Sequence, residues 1–293
     1  MKKTIFQFQK QFFLIVLAFL AFACQDQSLQ ELSREKSLND NSLNQAEQLK
    51  HSNRNVYVLV HGAWHPESCW DEVKCMLERS GNIVKTVQLP GLGKDTTPVE
   101  TVTFQDHVNA VEKVVSEQPG KVILVGHSYG GGVISQVGED LAPKIKKLIY
   151  VSGFMPADGE IIGQWALADT ASLVTKNLII DGPLAFLTTE NYGKALYNVA
   201  LKGDREMVRK ARKIISELRP QGVATLFAPL HLTATYRSLA KTYISDLKDK
   251  AVTPPIQQAM YTRFPETKVY FIRGSDHSPF VTAPEELVDL LKK

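Results

Sequence analysis

The spacing of apolar and polar positions changes along the chain and outlines most of a fold. Residues 56–60, Val-Tyr-Val-Leu-Val, form a short unbroken apolar run, the mark of a strand buried on both faces. After a turn, residues 69–80 read as a helix stopped by Gly81. Residues 83–89 predict a strand ended by Pro90-Gly91. Residues 103–117 predict a helix, with Thr103 as N-cap and Pro119-Gly120 beyond its end. A strand over 121–125, a helix over 129–140 and a strand over 147–151 follow. Regular alternation of this kind predicts an α/β fold, a mostly parallel sheet of about six strands with helices on both faces.

The alternation breaks between about 152 and 240. Residues 206–218 look helical, bounded by Pro220 and Gly222, and the rest mixes aromatic residues with Gly and Pro. A mostly helical insertion is expected there. Alternation then resumes, with a strand over 242–245, a helix over 255–262 and a strand over 268–272. The last helix is expected to open at Thr282, with Glu285 returning the bond as in a capping box.

The first 24 residues have a different character. Lys2 and Lys3 are followed by an apolar run over 12–23. That run is too short to span a bilayer, which takes about 20 apolar residues. A basic head and a short apolar stretch read as a secretory signal peptide. The run ends Leu20-Ala21-Phe22-Ala23-Cys24, which resembles the lipobox of bacterial lipoproteins. That resemblance implies that Cys24 becomes the lipidated first residue of a secreted protein, anchored to a membrane and facing the periplasm or the outside. Residues 25–54 are rich in Gln, Asn, Ser, Glu and Lys and contain no aromatic residue. They read as a flexible tether leading to a domain over 55–293. Cys69 and Cys75 lie at or in one expected helix, six residues apart, and are expected to be two free, buried thiols.

A net charge of +3 with scattered Lys and Arg excludes a dedicated nucleic-acid binder. The chemistry concentrates in Gly126-His127-Ser128-Tyr129-Gly130, a G-x-S-x-G between an expected strand and an expected helix. That context makes Ser128 a candidate nucleophile on a sharp turn, and places the N–H of Tyr129 at a helix N-terminus. A serine needs a base. His277, in Arg273-Gly274-Ser275-Asp276-His277, follows the last strand, where parallel sheets place their sites. His127 is fixed beside the serine with its ring expected to point elsewhere, and His107 falls on a helix and is expected at the surface. The orienting acid is Asp246 or Asp249, both after the 242–245 strand, and spacing alone leaves them tied. Asp276 adjoins His277 and is expected to bind loop N–H groups instead. The turn His61-Gly62-Ala63-Trp64 supplies a second oxyanion donor, the N–H of Ala63. No metal or organic cofactor is called for.

Val58-Leu59-Val60-His61-Gly62-Ala63-Trp64-His65, Leu89-Pro90-Gly91-Leu92-Gly93, Gly126-His127-Ser128-Tyr129-Gly130-Gly131 and Ser275-Asp276-His277 resemble one branch of the α/β-hydrolases. It holds plant methylesterases, hydroxynitrile lyases and related bacterial esterases. The resemblance covers roughly 56–293 and implies a hydrolase core with a helical cap. It also implies Asp249 as the acid, because Asp249 is followed by Ala251-Val252-Thr253-Pro254 in the family's arrangement. Cyanide-releasing members carry a Thr beside the first motif's His and a Lys after the catalytic His. Gly62 and Ser278 stand there in this chain, so the resemblance implies ester cleavage of a small molecule. Phe154, Trp165, Phe186, Phe227 and His231 are candidates to line a pocket in the cap. Two rivals stand beside this reading: a lyase use of the triad, and a membrane-tethered binding protein with an idle one.

Overall fold

The computed structural model describes residues 54–293. The leader, Cys24 and the tether up to residue 53 lie outside the described residues. Strands β1 (Val56–Val60), β2 (Ile83–Val87), β3 (Val122–His127) and β4 (Ile145–Val151) come first in the chain. Three short cap strands follow: β5 (Ile179–Asp181), β6 (Leu184–Phe186) and β7 (Gln221–Gly222). β8 (Lys241–Asp246) and β9 (Lys268–Ile272) complete the set.

Six of these strands form one sheet in the order β2-β1-β3-β4-β8-β9, and every neighbouring pair is parallel. Inner strands β1, β3 and β8 are buried along their whole length, whereas the edge strands β2 and β9 keep several exposed or half-buried positions. Helices covering both faces of a parallel sheet account for this difference. Side chains of this sheet and its helices build one hydrophobic core, so the unit Asn55–Lys293 carries its own core. Because all six strands run the same way, the loops leaving β1, β3, β8 and β9 emerge at one edge, the edge that positions the site.

Local signals set several boundaries. Thr103 caps helix Phe104–Ser116 through a reciprocal bond with Asp106. The expected helix over 69–80 divides into a 3-10 turn, Glu67–Trp70, and an α-helix, Asp71–Arg79. Val73 and Leu77 face inward from that helix, and Cys75 lies on its opposite face. Cys75 is therefore exposed, not buried as expected, while Cys69 is buried; both are free.

The last helix also departs from expectation. It runs Pro284–Leu291, and Ala283 precedes it with no side-chain cap. Thr282 ends a separate short helix, Pro279–Thr282, and its hydroxyl turns back to Ser275 and to the carbonyl of Ser278. Pro284, directly after Ala283, disfavours a helical conformation at Ala283 and fixes this break.

Residues between β4 and β8 form the insertion. Helices Thr189–Leu196 and Arg205–Glu217 belong to it. So does the antiparallel sheet β5-β6-β7, which the sequence pattern did not reveal because its strands are only two or three residues long.

Candidate active site

β3 ends at His127 and helix Gly130–Asp140 begins three residues later. A turn this abrupt puts Ser128 in the left-handed region, φ +52°, which costs a non-glycine residue on the order of 1 kcal/mol or more. Flanking glycines make the turn possible. A Cβ on Gly126 would lie 2.5 Å from the carbonyl oxygen of Gly130, and one on Gly130 would lie 2.7 Å from that of His61. Backbone bonds hold the turn: the Ser128 carbonyl accepts from Gly131 N–H and Phe154 N–H, each at 2.9 Å.

His277 stands in the loop after β9. Its Nδ1 donates to Asp249 Oδ2 at 2.7 Å, and both side chains are almost wholly buried. A carboxylate only accepts, so the proton of this bond sits on Nδ1, and the neutral form of this tautomer carries on Nε2 the lone pair that a base needs. Asp249 is held on every side. Its Oδ1 accepts from the N–H groups of Ala251 (2.7 Å) and Val252 (3.0 Å). Gln257 Nε2 donates to Oδ2 at 3.0 Å. No pattern in the sequence pointed to Gln257.

The other two acids have different partners. Asp246 ends β8 and accepts from Ser152 Oγ at 2.8 Å, while its Oδ1 has no partner among the described residues. Burial pushes its carboxyl well above the usual carboxylate range. Asp276 accepts from the N–H groups of Val199, Ala200 and Ser278, which ties the His277 loop to the cap. Burial is the main influence raising its pKa.

Ala63 and Tyr129 line the same cavity as Ser128 and His277. Among the described residues neither backbone N–H meets a protein acceptor. The Ala63 turn is braced by Trp64, itself left-handed at φ +67°. Trp64 Nε1 donates to the Ala185 carbonyl at 2.8 Å, and its own carbonyl accepts from Arg219 N–H at 3.0 Å.

The cavity is narrow, about 70 Å³, and no charged side chain lines it. Of the cap aromatics, Phe154 and Phe227 line it. Trp165, Phe186 and His231 do not. Trp165 donates to Glu160 and lies under Arg263, at 4.5 Å from the ring centroid. Phe186 packs on the core from β6. His231 is exposed and meets Gln136 through its backbone. Aliphatic residues, Ile162, Leu167, Ile180 and Leu226 among them, form most of the wall instead. They carry no sequence signal that separates wall from core.

Neutral histidines pack behind the site. His127 donates from Nε2 to the His277 carbonyl at 2.8 Å, and the two rings lie 4.6 Å apart. Its ring thus points away from the cavity and supports the His277 loop; burial depresses its pKa strongly. His65 donates to the Ala63 carbonyl and accepts from Tyr197 OH, and burial lowers its pKa to about 3. His61 bonds the Gly62 carbonyl and accepts from Leu89 N–H, with its pKa lowered by burial to about 4. His107 is buried rather than at the surface as expected. Its Nε2 donates to the Pro90 carbonyl at 3.0 Å and its Nδ1 accepts from Tyr129 OH at 2.8 Å.

Comparison with known proteins agrees with this fold. The model of the alpha/beta hydrolase family matches residues 57–290. Methylesterase 9 of Arabidopsis thaliana is 30% identical over 253 residues, spanning 81% of this chain and 96% of its own. A carbendazim-hydrolyzing esterase from a Nocardioides species is 41% identical over 106 residues, 36% of this chain and 44% of its own. The crystal structure of an Arabidopsis methylesterase superposes with a TM-score of 0.68 at 24% identity, covering 81% of this chain and 97% of that one; this likeness establishes the fold. With a left-handed serine elbow after β3 and a buried His–Asp pair on the loops of β9 and β8, the chain belongs to the alpha/beta hydrolase family.

Proposed function

We propose that this protein is a serine carboxylic-ester hydrolase working through an acyl-enzyme. One observation carries the reading: the buried His277–Asp249 bond of 2.7 Å sits on the cavity that also holds the strained Ser128. Ser128 attacks the ester carbonyl while Nε2 of His277 takes its proton. Asp249 holds the imidazole in the required tautomer and stabilises its cationic form. N–H groups of Ala63 and Tyr129 receive the oxyanion. His277 then protonates the leaving alcohol, and water repeats the cycle on the acyl-enzyme. The relatives named methylesterase and esterase support the same chemistry.

Lyase chemistry fits poorly. A Cβ on Gly62 would lie 2.8 Å from both His127 Nδ1 and Ser128 Cβ, so the threonine of cyanide-releasing relatives has no room. Ser278 is fully buried, and no charged residue lines the cavity to meet departing cyanide. Substitution Ser128→Ala should lower turnover of p-nitrophenyl butyrate by several powers of ten. Wild-type protein should take a fluorophosphonate label on Ser128. Near-normal turnover by the alanine variant would overturn the proposal, and an unlabelled Ser128 would favour an idle triad.

The basic, apolar and Cys-terminated leader further supports export across a bacterial inner membrane and lipid attachment at Cys24. Metabolic labelling with palmitate, lost in Cys24→Ser, tests that step.

A further inference from the structure

Exposed large apolar side chains are unevenly placed. Leu167, Ile179, Ile180 and Phe227 are 50%, 37%, 56% and 38% exposed. Leu167, Ile180 and Phe227 line the catalytic cavity, so their outer surfaces form its rim. Ile179 precedes Ile180 on β5, an edge strand of the cap sheet, and is exposed on the strand's other face, so the hairpin at the rim presents apolar side chains on both faces. Past β5 the hairpin turns at Gly182, φ +55°, with Gly182 and Pro183 exposed. Water gains nothing from such a cluster, and a contiguous exposed apolar patch marks an interaction surface.

Cations flank it. Helix Leu173–Asn177 places Val174 and Thr175 in the cavity wall and the exposed Lys176 beside them. Lys250, also exposed, precedes Ala251 of the wall. On the far side of the same helix, Lys194, Lys202 and Arg212 join Lys250 around an open groove of about 700 Å³. Asp181 follows Ile180 on β5, and Glu190 pairs with Lys194.

We infer that the rim of the cavity mouth is a membrane-contact surface, seated on an anionic lipid bilayer from which an apolar ester enters the site. An apolar wedge bordered by lysines matches the boundary between acyl chains and anionic headgroups. The cavity wall is mostly apolar and has no charged residue to recruit a polar substrate. The sequence agrees. Residues 25–54 separate Cys24 from the domain, and a lipid at Cys24 would keep the domain at the same membrane. The inference rests on the ester-hydrolase reading of the cavity.

The test uses residues 55–293, which carry their own core and lack Cys24, so that no anchor contributes. Vesicles of equimolar phosphatidylethanolamine and phosphatidylglycerol should co-sediment the wild-type domain. Ile179→Asp, outside the cavity lining, should lower the partition coefficient about tenfold or more. Lys176→Glu, which leaves the apolar rim intact, should lower it about fivefold. Both variants should hydrolyse soluble p-nitrophenyl butyrate within about threefold of wild type. Absence of vesicle binding, or binding indifferent to Ile179→Asp, overturns the inference while leaving the hydrolase reading intact. A concentration-dependent dimer in sedimentation velocity, abolished by Ile179→Asp, also overturns it and makes the rim a self-association surface. Loss of soluble-ester turnover by the wild-type domain would instead sink the hydrolase reading.

Discussion

Replacing His107 by Leu removes a buried bridge between the serine elbow and the loop after β2. The ring is 1% exposed, accepts from Tyr129 OH and donates to the Pro90 carbonyl. Leu keeps much of the volume and strands both partners. Each stranded buried group costs about 1–3 kcal/mol, so the variant should lose about 3 kcal/mol at pH 7. Acid should narrow that gap. Burial lowers the His107 pKa from 6.5 to about 4, so between those values the unfolded wild-type chain binds a proton that the native state refuses. Native stability therefore rises with pH across this window and is lost as pH falls below 6.5. For this one group the loss is about 2 kcal/mol at pH 5, reaching about 3 kcal/mol at pH 4. Leu cannot titrate, so the difference between wild type and variant should shrink to about 1 kcal/mol at pH 5. Urea unfolding of both proteins at pH 7 and pH 5 measures it. An equal gap at the two pH values would refute the claim that folding keeps His107 neutral.

Three further outcomes follow from the same geometry. Asp249→Asn should lower kcat on a p-nitrophenyl ester about 10⁴-fold, whereas Asp246→Asn should stay within about tenfold of wild type; equal losses would remove the distinction between the two acids. Because burial raises the Asp246 pKa above its unfolded value, the native state is penalised as pH rises above the ordinary carboxylate range, and Asp246→Asn should be more stable than wild type at pH 8 by thermal melting. Gly62→Thr should destabilise the fold by about 1–3 kcal/mol through its contacts with His127 and Ser128 and release no cyanide from mandelonitrile; cyanide release would reopen the lyase reading.

Much of the site was legible because its signals are local. Gly126 and Gly130 bracket Ser128 where a Cβ at either position would clash with backbone, and the structure places Ser128 at φ +52° there. His277 was readable from its place after the last strand. Asp246 and Asp249 were not separable by spacing, since both follow β8. The Asp246 side chain turns to Ser152, and Asp249, three residues on, reaches His277.

What the linear pattern could not show was the direction of a side chain whose partners come from elsewhere in the chain. His107 was expected at the surface, yet it shares the buried face of its helix with Phe104, Val108, Val111 and Val115, so the apolar period did carry that signal; only its partners, the Pro90 carbonyl and Tyr129 OH, come from elsewhere in the chain. Trp165 and Phe186 looked like pocket residues by composition, yet Glu160 with Arg263 holds the first and core packing holds the second. The sequence by itself determined the strand–helix alternation, the serine elbow and the candidate base, because each depends on φ, hydrophobic period or order along the chain. The tertiary structure brings to the base Asp249, the acid that the family resemblance implied, and it alone decided which aliphatic residues wall the cavity and that its apolar rim faces outward. Those contacts join residues far apart in sequence, and only the completed parallel sheet brings their loops to one edge.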